Sequence, residues 1–199
     1  MPKTSDTKQI GRPRSEESRA AILNATWTLL KTTTLRDLSI EAIARESGVG
    51  KTTIYRWWSS KVAVVMDAFV ENVLSVTPFP EDLSATEAIK VQMASLVQTF
   101  SGDYGRIVAQ IIAEGQADPD ALASYRDRFI YPRRAAVKAI LQKGIESGEF
   151  NPNLDPELVI DILYGPIYFR LLVGHFPLDR QFAEQLPLWA LKAIKLTEF

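Results

Sequence analysis

Apolar residues recur three and four positions apart along most of the chain, and no stretch alternates in twos for long. The pattern predicts an all-α fold of about nine helices and no strand. A first helix is expected over about 15–32, with Ser15 as N-cap, Glu16 and Glu17 in its first turn, and Ile22, Leu23, Thr26, Leu29 and Leu30 on one face. Two short helices follow at about 40–46 and 50–57. A fourth, about 60–76, is capped by Ser59 or Ser60 and ended by Pro78 and Pro80. Ser84-Ala-Thr-Glu87 has the form of a capping box and opens a helix to about Ser101. Another covers about 105–117. Asp118-Pro119 starts a long segment to about Ser147, which Pro132 should bend or break near Ile130 and which Gly148 and Pro152 close. Asp155-Pro156 starts a helix to about Val173, ended by Gly174 and Pro177, and a last helix runs over about 179–196.

The short pair carries the most chemistry. In SIEAIARESGVGKTTIYRWWSSK (39–61), Ile40, Ile43 and Ala44 make one apolar face, and small Ala44 lets a second helix cross closely. Gly48 stands where the chain leaves the first helix and left-handed backbone angles favour glycine. Val49 and Ile54 point back onto that face, leaving Gly50, Lys51, Thr52 and Thr53 at the exposed start of the second helix. This is helix-turn-helix spacing, in which the second helix reads base edges with its N-terminal turn. The plainer reading is a helical hairpin inside an all-α domain.

Charge sharpens the choice. The chain has 199 residues and a net charge of −1, unpromising for a nucleic-acid binder. Residues 1–61, however, hold eleven Lys/Arg against six acids, a balance of +5, and the remainder is −6. Positive charge thus lies on the segment with the helix-turn-helix pattern, where phosphates would meet it. With no cysteine, disulfides, thiolate nucleophiles and cysteine-bound zinc are excluded. No cofactor or metal set stands out. The first fourteen residues read as a disordered basic arm rather than a signal segment, and 158–173 is too short and too charged to span a membrane, so a cytoplasmic protein is expected.

Gly11-Arg-Pro-Arg14, Ile40-x-x-Ile-Ala44, Ser47-Gly-Val49, Thr53-Ile-Tyr-Arg56 and Ser60-Lys61 together resemble the tetracycline-repressor-like (TetR/AcrR) family of bacterial transcription regulators. The resemblance is detailed over roughly the first third of the chain. It implies a homodimer on double-stranded DNA, with a disordered arm (1–14), a three-helix DNA-binding domain (15–60), and a larger helical domain (61–199) that binds a small molecule and dimerises. It also implies roles: Lys51, Thr52 and Thr53 on bases or nearby phosphates, Tyr55 donating to a phosphate, and Lys61 on a phosphate at the fourth helix. Ser39 would cap the second helix and meet the DNA backbone. Trp57 stands where the family often has a phosphate-binding histidine, and Trp58 where it has a core phenylalanine. Arg12 and Arg14 flank Pro13 in a tail suited to an adjacent minor groove. Gly50 replaces a frequent serine.

In the larger domain, helical stripes supply a candidate pocket for a largely apolar effector: Met66, Phe69, Met93, Phe100, Gln110, Ile111, Glu114, Tyr125 and Phe129. Gln110 and Glu114, a polar pair four apart beside isoleucines, would orient the ligand. Segment 155–175 is apolar all round and needs cover on more than one side. In the family the last two helices form the dimer bundle, which here points to Leu163, Ile167, Phe169, Leu172, Phe182, Leu186 and Trp189. Gly165-Pro166 implies a kink and a close approach.

Rival chemistries fit poorly. Gly48-Val-Gly-Lys-Thr52 resembles part of a phosphate-binding loop, but Arg45 occupies the first glycine position and the preceding segment is helical. His175 is the one histidine and sits at a helix end, where imidazole caps carbonyls. The acidic pairs Glu81/Asp82 and Asp118/Asp120 begin helices. The expected function is a DNA-binding repressor released from a palindromic operator by a small molecule. The rival is a helical ligand-binding protein without sequence-specific DNA binding.

Overall fold

The computed structural model describes residues 12–77, 79–80, 82–192 and 194, with the side chains of 12–15 and 75 outside that set. The described residues hold helices α1 (Arg12–Thr32), α2 (Ile40–Ser47), α3 (Lys51–Trp57), α4 (Lys61–Val76), α5 (Ala85–Phe100), α6 (Asp103–Ala117), α7 (Pro119–Tyr125), α8 (Tyr131–Glu146), α9 (Pro156–Val173) and α10 (Arg180–Lys192). A π turn, Arg126–Ile130, joins α7 to α8. None of these helices is long and apolar enough to cross a membrane. The chain divides into two compact units at Ala68/Phe69, inside α4 rather than at the expected 60/61.

In the first unit, α1 begins at Arg12, earlier than the Ser15 cap expected. Pro13 is compatible with that start because the first turn leaves its N–H groups unbonded anyway. Residues 1–11 of the expected arm lie outside the described residues. Ser39 caps α2, its Oγ accepting from Ala42 N at 3.2 Å, and Gly48 ends it at φ 68°. Ile22, Leu30, Ile43 and Ile54 are fully buried and hold α1, α2 and α3 together. Ser60 is the α4 cap, accepting from Ala63 N.

In the second unit each predicted cap is present: Ser84 accepts from Glu87 N, Asp118 from Asp120 N, and Asp155 from Glu157 N. The long segment that Pro132 was expected to disturb widens into the π turn just before it. Tyr131 N there bonds Arg126 O, five residues back, so the proline ring meets no ordinary helical turn.

α8 stops in a Schellman geometry. Glu149 N bonds Gly144 O at 2.8 Å, Gly148 N bonds Ile145 O, and Gly148 sits at φ +75°. The stop delivers the Glu149 carboxylate to the N-terminus of α5, where it accepts from Ala85 N at 3.0 Å and Thr86 N at 2.9 Å. The Thr86 N–H, helped by Ala85 and the Ser147 hydroxyl, holds the Glu149 carboxyl down at about 2. A depressed folded-state value means the stabilisation is complete above about 4.5, the unperturbed value, and is lost as pH falls toward 2. Glu149→Ala should therefore cost about 1 kcal/mol at neutral pH. Urea denaturation across a pH series should show the gap between the two proteins closing below pH 4.5. A gap that stays constant with pH would remove the carboxylate from this cap.

Candidate functional site

The DNA-reading candidates lie in the first unit. Ile54 turns inward at 0% exposure, so its neighbours on α3 turn out: Lys51, Thr52, Tyr55 and Arg56 are exposed, Tyr55 at 55%, and Thr53 is half-buried. Lys51 and Tyr55, and Thr52 and Arg56, are four apart and stand side by side on the helix. Lys51 Nζ donates to Glu41 Oε1 on α2 at 3.0 Å. That hydrogen bond raises the Lys51 pKa and lowers that of Glu41, so both remain charged.

Lys61, Trp57 and Ser39 are engaged within the first unit. Lys61 does not stand free: its Nζ donates to Leu35 O at 2.8 Å and Arg36 O at 3.2 Å, fastening the turn between α1 and α2 and leaving one N–H for any other partner. Trp57 lies against Trp58 with ring centroids 6.1 Å apart, and its Nε1 is buried with no hydrogen-bond partner among the described residues. The one polar atom of Trp57 is thus not presented at the surface, and the phosphate contact expected of it is unsupported. Ser39 is half-buried and engaged as the α2 cap. Arg12 and Arg14 fall in the first turn of α1, not in an extended tail, and their side chains lie outside the described set. Trp58 is core, as expected, and its Nε1 donates to Asp67 Oδ2 at 2.7 Å.

The second unit holds a cavity of about 70 Å³ walled by α5, the π turn, α8 and α9. Leu96, Phe129, Ile130, Val137 and Ile160 give it apolar walls; Gln92, Arg133, Tyr164 and Tyr168 bring polar groups, and Phe79 and Arg134 complete the lining. Of the expected lining residues, Phe129 alone faces this cavity. Tyr125 lines an adjoining groove of about 350 Å³ that shares Ile130, Arg134, Ile160, Tyr164 and Tyr168 with it. Phe69 and Met93 are fully buried, and Phe100 packs edge-on against Tyr168. Met66 is core of the first unit. Gln110, Ile111 and Glu114 line neither space, because the apolar stripe of α6 is used in packing through Ile107, Val108 and Ile111.

Tyr164 and Tyr168 were missed because they lie on α9, which the sequence expectation gave to the subunit contact, and Gln92 and Arg133 because they are polar positions off the apolar stripes. Tyr164 donates to Gln92 Oε1 at 2.5 Å, and the Tyr125 and Tyr168 hydroxyls are 3.0 Å apart. Burial raises all three phenols, Tyr168 to about 12, so they are neutral near pH 7. The visible signal was Arg133-Arg134: adjacent helical residues point about 100° apart, so the pair cannot share one environment. Arg134 reaches Asp161 at 2.6 Å and pairs with Glu157; Arg133 turns inward.

On α9 the all-round apolar surface resolves into two faces. Leu163 and Ile167, expected at a dimer interface, are fully buried within the chain. Phe169 and Leu172 are exposed, and Trp189 on α10 is 66% exposed. Leu186 and Phe182 are half-buried, with the Arg170 guanidinium 3.6 Å from the Phe182 ring centroid. Leu158, Ile162, Val173, Phe176 and Leu188 extend the exposed set. The close approach expected at Gly165 is absent among the described residues, since a Cβ there would meet nothing within 4 Å. His175 is exposed, its ring 4.7 Å from that of Phe169.

Comparison with known proteins agrees with this arrangement at both ends of the chain. Residues 22–67 match the model of bacterial regulatory proteins of the tetR family, and residues 79–187 match that of the tetracyclin repressor-like C-terminal domain. The HTH-type transcriptional regulator YdeS of Bacillus subtilis is 36% identical over 187 residues, 94% of each chain. The DNA-binding transcriptional repressor TetR of Mycobacteroides abscessus is 26% identical, over 87% of this chain and 91% of its own. The crystal structure of the TetR family transcription regulator SCO0332 superposes with a TM-score of 0.76 at 33% identity, covering 88% of this chain and 97% of that one. The chain belongs to the TetR family of bacterial transcriptional regulators.

Proposed function

We propose that the protein is a cytoplasmic homodimeric repressor that binds a pseudo-palindromic operator and leaves it when a small molecule enters the second unit. The observation that carries the reading is α3: one residue, Ile54, anchors it, and Lys51, Thr52, Tyr55 and Arg56 are left facing out. On duplex DNA the Lys51 ammonium exchanges Glu41 for phosphate or base acceptors, and the Tyr55 hydroxyl donates to a phosphate. One such helix per subunit enters successive major grooves about 34–36 Å apart. The effector favours a conformer in which the two reading helices no longer match that spacing, and operator must weaken effector binding by the same factor.

Dimerisation is supported by the outward stripe of α9 and α10. That stripe presents Ile162, Phe169, Leu172 and Trp189, all exposed on the folded chain.

The test is a mobility-shift titration on DNA flanking the gene, repeated over a range of salt. Tyr55→Phe should weaken binding to all fragments alike, and Lys51→Ala should lower the salt slope by about one. Unchanged affinity and slope in both variants would remove α3 as the reading helix.

A further inference from the structure

Arg133 has no carboxylate partner among the described residues, although its neighbour Arg134 has two. Its Nη1 donates to Thr77 O at 2.7 Å, its guanidinium carbon lies 4.4 Å from the Phe79 ring centroid, and its Nη2 is buried without a hydrogen-bond partner among the described residues. Burial lowers its pKa, but an arginine keeps its proton, so the charge stays and goes uncompensated. The neighbouring phenols are too hard to ionise to supply a counter-charge. A half-buried cation whose buried Nη2 donor is idle is costly to maintain unless something else completes it.

We infer that the effector is a small organic carboxylate whose headgroup pairs with Arg133 in this cavity and whose apolar body lies toward the adjoining groove. The inference rests on reading the second unit as the effector-binding part. One arginine matches one negative charge, and a guanidinium presents two parallel N–H groups to a carboxylate. About 70 Å³ accommodates a headgroup and little more. Five residues shared with the groove mark the side on which the rest of the molecule extends. Tyr164 and Gln92 are already bonded to each other, so the ligand's polarity is concentrated at Arg133.

The experiment titrates the full chain by calorimetry with benzoate, phenylacetate and hexanoate, each against its own amide. At least one acid should bind about tenfold or more tightly than its amide. Arg133→Met should erase that preference, and Arg133→Lys should keep part of it. No binding by any of the acids, equal binding of acid and amide, or an undiminished preference in Arg133→Met would each overturn the inference. The acid–amide comparison in the unaltered chain decides the matter even if a variant fails to fold. Operator binding is read separately: a chain that takes up carboxylate but never shifts DNA defeats the repressor reading and leaves this one standing.

Discussion

A protein carrying Phe169→Asp and Trp189→Asp should sediment as a monomer and bind operator about 10²- to 10⁴-fold more weakly than the unaltered chain. Both side chains are large, apolar and mostly exposed, at 59% and 66%. Aspartate at either position therefore costs the folded subunit little, and the damage falls on whatever covers that surface. With the dimer split, the second half-site is no longer reached at the high effective concentration that a tethered partner provides. Sedimentation equilibrium and a mobility shift on the same samples check both halves of the expectation. A variant that remains dimeric, or a parent chain that is monomeric where it binds DNA, would show that this stripe is not the subunit contact. The choice of residue matters, because aspartate at Leu163 or Ile167 would bury a charge in the core and unfold the subunit instead.

Phe150→Ala should destabilise the second unit by about 3–5 kcal/mol, the loss that follows from emptying a buried aromatic site. The ring is 1% exposed and sits in the core with Ala85, Leu141 and Leu163. It lies so close to Gly144 that a Cβ there would come within 2.2 Å of it. The space it fills is bounded by backbone on one side, so neighbouring side chains can refill little of it. Urea unfolding of parent and variant measures the difference; a loss under about 1 kcal/mol would mean that the site collapses around the gap. Because Glu149 is its neighbour and caps α5 from the same turn, the two losses should not add when the variants are combined.

The sequence was most informative where structure is decided locally. Ser39, Gly48, Ser84, Asp118, Asp155 and Gly174 each act within a few residues of themselves, and each ends or begins a helix as the spacing predicts. Pro132 announced its disturbance in the same way. Tertiary choices were harder. On α9 nearly every position is apolar, so helical period alone cannot tell the face that meets α5 and α10 from the face left open. Leu163 and Phe169 therefore looked alike in sequence and separate only in the folded chain. Lys61 looked free for DNA because the carbonyls it bonds are some twenty-five residues back, at Leu35 and Arg36. The cavity is hidden for a related reason: apolar helical stripes mark core, while the distinguishing group of the cavity is an arginine placed beside another arginine.

The widened turn at Arg126–Ile130 makes the length of that segment a fixed quantity. Removing Arg128 from it would let the backbone run on as an ordinary spiral, which must then seat the Pro132 ring against the carbonyl of Asp127. Everything beyond would rotate by about 100° around the axis. The guanidinium now beside Phe79 would swing toward another side, and the carboxylates that hold Arg134 would face a different residue. In this stretch the count of residues, more than their identity, sets which cation the cavity sees.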